Sequence, residues 1–392
     1  MTGHKLDLDS TYVTDHNLGV ETNGRMDVPS RARGVTGTVP AAHARGRAAE
    51  RLPAKSVSIR DVAAAAGVSY QTVSRVINGN PNVKDSTRQL ILDTIDQLRF
   101  RPNRVARALA GGPIQSVTVL TANTTLYGYA TALQGIENAA RAAGFAMGVQ
   151  VTESGQPSVV RDAVDRAAEP GTALIVIAYD EPGIAVLSAV PPDVPVAAII
   201  VAPAGDEAAG KPWVWLDDRR AGYEATRYLL GLGHQTVHHV SIPPSSPRTH
   251  GWRSALAEAG APIPEPVPGG WEPRDGYAAG RTLAKDPDVT AVLCGNDDLA
   301  LGVMRAMHEA RRPIPGSVSV IGFDDTPQSA LYTPALTTVR QDFAALGRVC
   351  FATLLSTLDP RAATDPMPWP QCELIVRESS GPPRAGTRTA SC

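Results

Sequence analysis

Cysteine is scarce in this 392-residue chain. The four present, Cys294, Cys350, Cys372 and Cys392, lie far apart. That spacing excludes a zinc or redox pair of the Cys-x-x-Cys kind, and four thiols are too few to staple a chain of this length. Long apolar runs are missing too. No stretch approaches the roughly 20 apolar residues that a membrane span needs. Asp7, Asp9 and Asp15 interrupt the place where the apolar segment of a secretory signal would run. A reducing, cytoplasmic setting with no membrane partner is therefore expected. The length allows two or three domains with a large buried core.

Charge is unevenly spread. The whole chain sits at −2, yet residues 55–112 carry 9 basic and 4 acidic side chains, which leaves an acidic body behind them. A small basic segment on an acidic globule suits a polyanion-binding head, because phosphates must be neutralised by local Lys and Arg. Residues 1–54 mix Gly, Thr, Asp, Arg and Ala without helical or strand period and are expected to be disordered.

Order begins with a helix signal. Ser58-Ile59-Arg60-Asp61 has the form of a capping box, a hydroxyl followed three residues later by a carboxylate, and the apolar run Val62 to Ala66 follows it. Gly67 breaks the helix. Ser69 then caps a second helix over Tyr70 to Asn78, with Val73, Val76 and Ile77 on its inner stripe and Tyr70, Gln71, Ser74 and Arg75 on the opposite face. A third helix, Ser86 to Leu98, is expected to close the small core with Leu90, Ile91, Ile95 and Leu98. Two short helices about a glycine turn suit a helix-turn-helix, in which the second helix enters the major groove. Base-edge geometry would then pair Arg75 with guanine and Gln71 with adenine. Ordinary helical hairpins share the pattern, so by itself it does not decide. Residues 102–113 add a two-turn helical run stopped by Gly111-Gly112-Pro113, too short to be stable alone and hence a candidate hinge.

From Val117 onward, β-branched runs alternate with helical patterns: Val117–Leu120, Leu174–Ile177, Val196–Val201, Val237–Val240, Ala291–Cys294 and Val318–Ile321. That rhythm predicts parallel sheets covered by helices on both faces, and its length is enough for two α/β lobes. Ligands of such sheets bind beyond the carboxyl ends of the strands. Asn296-Asp297-Asp298 and Asp324-Asp325 fall at such ends. Paired carboxylates also invite an enzyme reading, as metal ligands or an acid/base pair, but neighbours on one loop rarely aim at one atom and no histidine adjoins them. No catalytic residue, cofactor or metal is expected. His238-His239 and Cys294 read as structural.

Asp61-Val62-Ala63, then Ala66 through Asn78, then Arg101-Pro102-Asn103-Arg104-Val105-Ala106 resemble the head-piece of the lactose repressor family. Gly302 to Ala306, Ser319 to Thr326 and Leu336 to Phe343 extend the resemblance to about residue 377. The resemblance implies a three-helix helix-turn-helix domain over 55–101, a hinge helix and linker over 102–113, and a two-lobed, periplasmic-binding-protein-like core over 114–378, with 379–392 a disordered tail. It implies a DNA-binding transcriptional repressor of carbohydrate-utilisation genes, released from its operator by a sugar. Ser69, Tyr70, Gln71, Ser74, Arg75 and Asn78 inherit contacts to the major groove or phosphates. Asn103 and Arg107 fall in the hinge of the minor groove, where Leu109 holds the wedge position. Arg60 and Phe100 stand where the family pattern has tyrosines.

For the effector the resemblance implies that Arg248, Asn296 and Asp324 bind ring hydroxyls, with Trp271, Gln341 and Phe343 lining the pocket. A family carboxylate that holds a sugar hydroxymethyl group is replaced by Ile200, which leaves the sugar open. Two neighbouring readings remain: a co-repressor-dependent regulator of the same family, and a sugar-binding transport receptor, which the head-piece opposes. The tetramers of the family need a C-terminal leucine heptad, and residues 379–392 contain no Leu, Ile, Val or Met. A homodimer on a near-palindromic operator is expected.

Overall fold

The structure is a computed structural model, and it describes residues 57–77, 80–100, 114–203, 205–242, 246–359 and 367–383. The disordered extension expected before residue 55, the hinge helix, and the predicted contacts at Asn78, Asn103, Arg107 and Leu109 lie outside these residues.

Three helices come first: α1 (Ile59–Ala65), α2 (Tyr70–Ile77) and α3 (Asp85–Gln97). The capping box forms as the sequence predicts, with the Ser58 N–H donating to Asp61 at 2.8 Å and the Asp61 N–H donating to Ser58 Oγ at 3.3 Å. The chain leaves α1 through Gly67, whose φ of +64° a side chain would strain. The Thr72 N–H then donates to Ser69 Oγ at 3.2 Å and opens α2. Val62, Ala63, Ala66, Val73, Val76, Val83, Ile91 and Phe100 form the core of this unit, with Ile95 and Leu98 packed against it. Leu90 differs from expectation: it is 49% exposed. Only one face of α3 meets the two short helices, and Ile91 and Thr94 occupy it.

Two sheets follow. In the first, β1 (Ser116–Thr121), β2 (Ala146–Val151), β3 (Thr172–Ala178), β4 (Val196–Ile200) and β5 (Trp213–Val214) run parallel in the order β2-β1-β3-β4-β5. In β3, Ala173, Ile175 and Ile177 pack on one face while Leu174, Val176 and Ala178 pack on the other. A strand covered on both faces must be apolar throughout, which is why it reads as a continuous run. Its covering helices are α4 (Tyr127–Ala142), α5 (Pro157–Ala167) and α6 (Glu181–Ala189).

After β5 the chain crosses to a second lobe, with α7 (Asp218–Gly231), β6 (His238–Ser241), α8 (Pro247–Glu258), β7 (Val267–Pro268), α9 (Pro273–Leu283), β8 (Ala291–Cys294), α10 (Asp297–Glu309), β9 (Ser319–Asp324) and β10 (Thr337–Arg340). It returns to the first lobe as α11 (Phe343–Leu358), which packs against α4 and the first sheet, and comes back once more to place β11 (Glu373–Ile375) antiparallel to β10. The second sheet has the order β11-β10-β9-β8-β6-β7.

The expected tail boundary at 378 falls too early. Ser379 is fully buried, accepts the Thr337 N–H at 2.8 Å and donates to the Val320 carbonyl at 2.6 Å. Its small hydroxyl satisfies backbone groups at the edge of β9, so the described chain stays packed without a large apolar side chain.

α7 and α8 meet at paired glycines. A Cβ on Gly222 would strike the Arg248 backbone, and one on Gly251 would strike the Arg219 carbonyl. This close approach sets Asp218 opposite Arg248. Beside it, the buried His239 ring spans two elements, with Nδ1–H donating to the Leu293 carbonyl at 2.9 Å and Nε2 accepting from Thr249 at 3.1 Å.

Burial lowers the His239 pKa to about 4. An unfolded imidazole titrates near ~6.5, so the stability held by the neutral ring is complete above that pH and lost as pH falls toward the folded value. Acidification should cost the parent up to about 3 kcal/mol at this one site. His239→Asn, which keeps a donor for Leu293 and cannot titrate, should lose less stability than the parent between pH 7 and pH 4.5 in urea unfolding. His234 and His238, also pushed down by burial, act in both proteins. Equal losses would refute a neutral buried ring.

Candidate functional site

A cavity of about 510 Å3 lies between the two α/β lobes at the carboxyl ends of their strands. From the first lobe come Leu126 and Tyr127 at the start of α4, Tyr179 and Asp180 after β3, Ile184 on α6, and Ile200 to Ala202 at and beyond the end of β4. From the second come Ile242 after β6, Arg248 on α8, Trp271 before α9, Asn296 and Asp298 after β8, and Asp324 ending β9. Gln341, on the crossing from β10 to α11, and Phe343 also line it, as do the polar Asp218, Glu181 and Ser246. All six residues expected to meet an effector, Arg248, Trp271, Asn296, Asp324, Gln341 and Phe343, thus line one cavity.

Arg248 is its electrostatic centre. Nε donates to Asp218 at 3.0 Å, Nη2 to Gln341 Oε1 at 2.8 Å and Nη1 to the Gly295 carbonyl, while Asp324 Oδ1 stands 3.7 Å from Nη1. The guanidinium also stacks on the Phe323 ring, 4.5 Å from its centroid. Gln341 donates to the other Asp218 oxygen, so α7, α8 and the crossing chain are tied at one point. Asp218 was not legible from sequence. It follows the two-residue strand β5, too short to give a strand pattern that would have marked the position as a sheet edge.

Asp324 is held in an unusual backbone conformation, φ +107°, and Asp325 after it has φ +53°. Such values cost a non-glycine residue about 1–3 kcal/mol and persist only where the surroundings over-determine them. Here Asp325 is clamped by Arg340 at 2.8 Å and Arg377 at 2.5 Å. Burial pushes the Asp324 carboxyl well above the usual range, against the pull of Arg248 and with the help of Asp297, Asp218 and Asp298. Among the described residues the carboxyl meets Arg248 only at 3.7 Å, and it lines the cavity.

The paired carboxylates diverge in role. Asp297 accepts from the Thr326 N–H at 2.8 Å, Ser329 at 2.6 Å and Thr338 at 2.5 Å, and burial still raises its pKa to about 6 despite those donors. It pins the loop after β9. Asp298 instead lines the cavity, half-buried, at the strand end where the sequence placed it. Among the described residues, no group of three or more His, Cys, Asp or Glu is placed to hold a metal ion.

Asn296 has more structural work than expected. Its Oδ1 caps α10 by accepting the Leu299 N–H at 2.7 Å, and its Nδ2 donates to the Trp271 carbonyl at 3.1 Å, which fixes the segment carrying that indole at the cavity wall. Trp271 is half-buried against the core of the second lobe, so it serves packing and cavity together.

On the head-piece, Tyr70, Gln71 and Arg75 project from α2 on the side opposite Val73 and Val76, with Tyr70 51% exposed, and Ser74 is partly covered. Ser69 is engaged as a cap with Thr72, its Oγ 2.8 Å from Oγ1. Arg60 is exposed, whereas Phe100 belongs to the head-piece core, so the ring at that position works in packing.

Comparison with known proteins agrees with both halves. Residues 58–103 match the model of bacterial regulatory proteins of the lacI family, and residues 226–380 match a periplasmic binding protein-like domain. Catabolite control protein A of Priestia megaterium is 32% identical over 309 residues, 76% of this chain and 92% of that protein. The lactose operon repressor of Escherichia coli (strain K12) is 32% identical over 348 residues, 86% of this chain and 94% of that protein. The crystal structure of the Lac repressor dimer bound to operator and the anti-inducer ONPF superimposes with a TM-score of 0.73 at 30% identity, covering 83% of this chain and all of that one. With the capped helix-turn-helix, the two parallel-stranded lobes and relatives matched over nearly their whole length, the chain belongs to the lacI family of bacterial regulatory proteins.

Proposed function

We propose that this DNA-binding transcriptional regulator holds a near-palindromic operator as a homodimer in the cytoplasm, represses genes of carbohydrate use, and leaves the operator when a sugar fills the cavity between its lobes. The observation that carries the reading is the convergence of Arg248, Asp324, Gln341, Asn296, Trp271 and Phe343 on one cavity. Carboxylate, amide and guanidinium groups pair with ring hydroxyls, and aromatic faces cover the apolar side of a pyranose. The relatives fit it: one is a lactose operon repressor, and the Lac repressor dimer has been solved bound to operator and an anti-inducer. One member of each carboxylate pair has other work, since Asp297 fixes a loop and Asp325 clamps a turn, which leaves Asp298 and Asp324 singly on the cavity wall. On the DNA side, Arg75 and Gln71 are proposed to read base edges, with Ser69, Tyr70 and Ser74 as further contacts. Asn78, Asn103, Arg107 and Leu109 complete that proposed interface, and residues 102–113 are proposed as its hinge.

A sugar releases DNA only through its preference for the low-affinity conformation, and a thousandfold release needs about 4 kcal/mol of differential binding. Polar contacts in the cleft must supply it. Asp324→Asn keeps the size and removes a carboxyl whose pKa is raised by burial. Because the folded value lies above the unfolded one, ionisation near neutrality opposes folding, so the variant should melt no lower than the parent. It should also bind operator normally yet fail to release at sugar concentrations that free the parent. A thermal-shift screen of mono- and disaccharides identifies the sugar, since ligand at 100 times its dissociation constant adds about 2.7 kcal/mol. An operator-release titration then checks the variant, and an unchanged midpoint would remove Asp324 from the effector site.

Arg75→Ala tests the other half. Loss of one bidentate base contact should weaken operator binding by about 1–3 kcal/mol and relax preference at one base pair, read by fluorescence anisotropy against operator variants. Unaltered affinity and preference would displace α2 from the groove.

A further inference from the structure

The wall of the cavity between the lobes is electrically one-sided. Among the described residues that line it, Arg248 is the one cation, set against the five acids Asp180, Glu181, Asp218, Asp298 and Asp324, which leaves a formal charge of −4. Arg248 does not serve them all. Its Nε is engaged by Asp218 at 3.0 Å, its Nη2 by Gln341 at 2.8 Å and its Nη1 by the Gly295 carbonyl, and the Asp324 side chain, 13% exposed, comes no nearer to Nη1 than 3.7 Å. Asp180 meets only uncharged donors, the Gly183 N–H at 2.9 Å and the Tyr129 hydroxyl at 2.7 Å. Asp298 takes part in no hydrogen bond or ion pair among the described residues. Its place in the first turn of α10 eases the charge but supplies no partner. Burial pushes the Asp298 carboxyl up, with Glu272 adding to the effect, and positive charge arriving beside it would act the other way.

Two features of the wall indicate what carries the missing charge. The acids are spread around the cavity, and among the described residues no group of three or more His, Cys, Asp or Glu is placed to hold a metal ion. The counter-charge has to come on a larger body. The cavity, at about 510 Å3, has the size of a small-molecule site, and Tyr127, Trp271 and Phe343 give it aromatic surface for the apolar side of a ring. Aromatic faces also attract an ammonium group.

We propose that the effector is an amino sugar, a pyranose bearing a protonated amine, whose ammonium donates to Asp298 while Arg248, Asp324 and Gln341 meet its hydroxyls. The proposal rests on the sugar reading above and narrows it to cationic members of that class. A hydrogen bond between charged partners is roughly twice as strong as one between neutral groups, and a cleft lined by one sign of charge concentrates ligands of the other. A neutral pyranose of the same shape leaves Asp298 as it was, so the amine is what the site selects.

Pairs of sugars that differ in one group test this: D-glucosamine with D-glucose, D-galactosamine with D-galactose, and D-mannosamine with D-mannose. Each is titrated calorimetrically into the full chain at pH 6.5, where the amines are protonated, and then into its complex with operator. At least one amino sugar should bind about tenfold or more tightly than its neutral partner and release operator at correspondingly lower concentration. N-acetyl-D-glucosamine keeps the nitrogen without the charge and should bind no better than D-glucose. Asp298→Asn should lose most of the preference for the amine, and Asp298→Glu, which restores the charge, should regain part of it, both variants being compared at a parent-like melting temperature. Neutral sugars that bind as tightly as their amino partners would overturn the proposal while leaving the sugar reading intact. A preference that survives undiminished in Asp298→Asn would overturn the role given to Asp298. If neither the amino nor the neutral sugars bind the parent, the sugar reading fails and the proposal falls with it.

Discussion

The burial of one guanidinium sets the terms for the cleft. Arg248 is 6% exposed and sits where helices from one lobe meet the chain crossing to the other. Taking such a charge out of water costs several kcal/mol, which is recovered only if its donors meet good acceptors in good geometry. Arg248 achieves this with a carboxylate, an amide oxygen and a main-chain carbonyl, each from a different segment. Every one of those segments is therefore restrained by the same ion. The small residues Gly222 and Gly251 exist at the α7–α8 crossing because the Arg248 and Arg219 main chains occupy the space that side chains would need. Asp324, at 3.7 Å from Nη1, is a charged neighbour left at longer range. An added hydroxyl close to both could accept from the guanidinium and donate to the carboxyl, and this is the chemical opening the site presents.

Much of the fold was legible because the periods were clean. The head-piece announced itself through a hydroxyl and a carboxylate three residues apart, and through glycine where the chain needed a positive φ. The doubly covered strands β1, β3, β4, β8 and β9 appeared as unbroken β-branched runs because both faces are buried. Of the strands that escaped notice, β10 is buried but its threonines hide it from an apolar pattern, while β2, β5 and β7 lack that property. β2 is an edge strand with Val149 46% and Val151 45% exposed, so its sequence alternates weakly. β5 and β7 have two residues each, below any period.

The site was readable to the extent that side-chain chemistry and strand ends coincide. Asp324 and Asn296 follow β-branched runs directly, and their polarity stands out against them. What the pattern did not reveal is division of labour. Asn296 and Asp297 look equally available in sequence, but helix capping and three hydroxyl or amide donors consume most of their capacity. Asp218 and Tyr179 come close to the same cavity from other lobes and distant sequence positions, and only the topology that crosses between lobes brings them there. Phe100, which stands where the family pattern has a tyrosine, fills the head-piece core.

Precision at the cavity is bought from the backbone after β9. Asp324 and Asp325 both take positive φ, and neither is glycine. A glycine would relieve the strain but lose the side chain, so the carboxylate and the strain have to be kept together. Rigidity is supplied from outside: Asp325 is clamped by Arg340 of β10 and Arg377, Arg377 also donates to the Leu336 carbonyl at 2.7 Å, and Asp297 holds the next turn through Thr326 and Ser329. With both flanks fixed, the Asp324 carboxyl has little freedom to reach a better partner within the protein. It stays strained, raised in pKa by its burial and turned toward the cleft. A group with unspent hydrogen-bonding capacity, held in place by strain, can gain more from an arriving ligand than from the fold, and that difference is what a ligand needs in order to shift a conformational equilibrium.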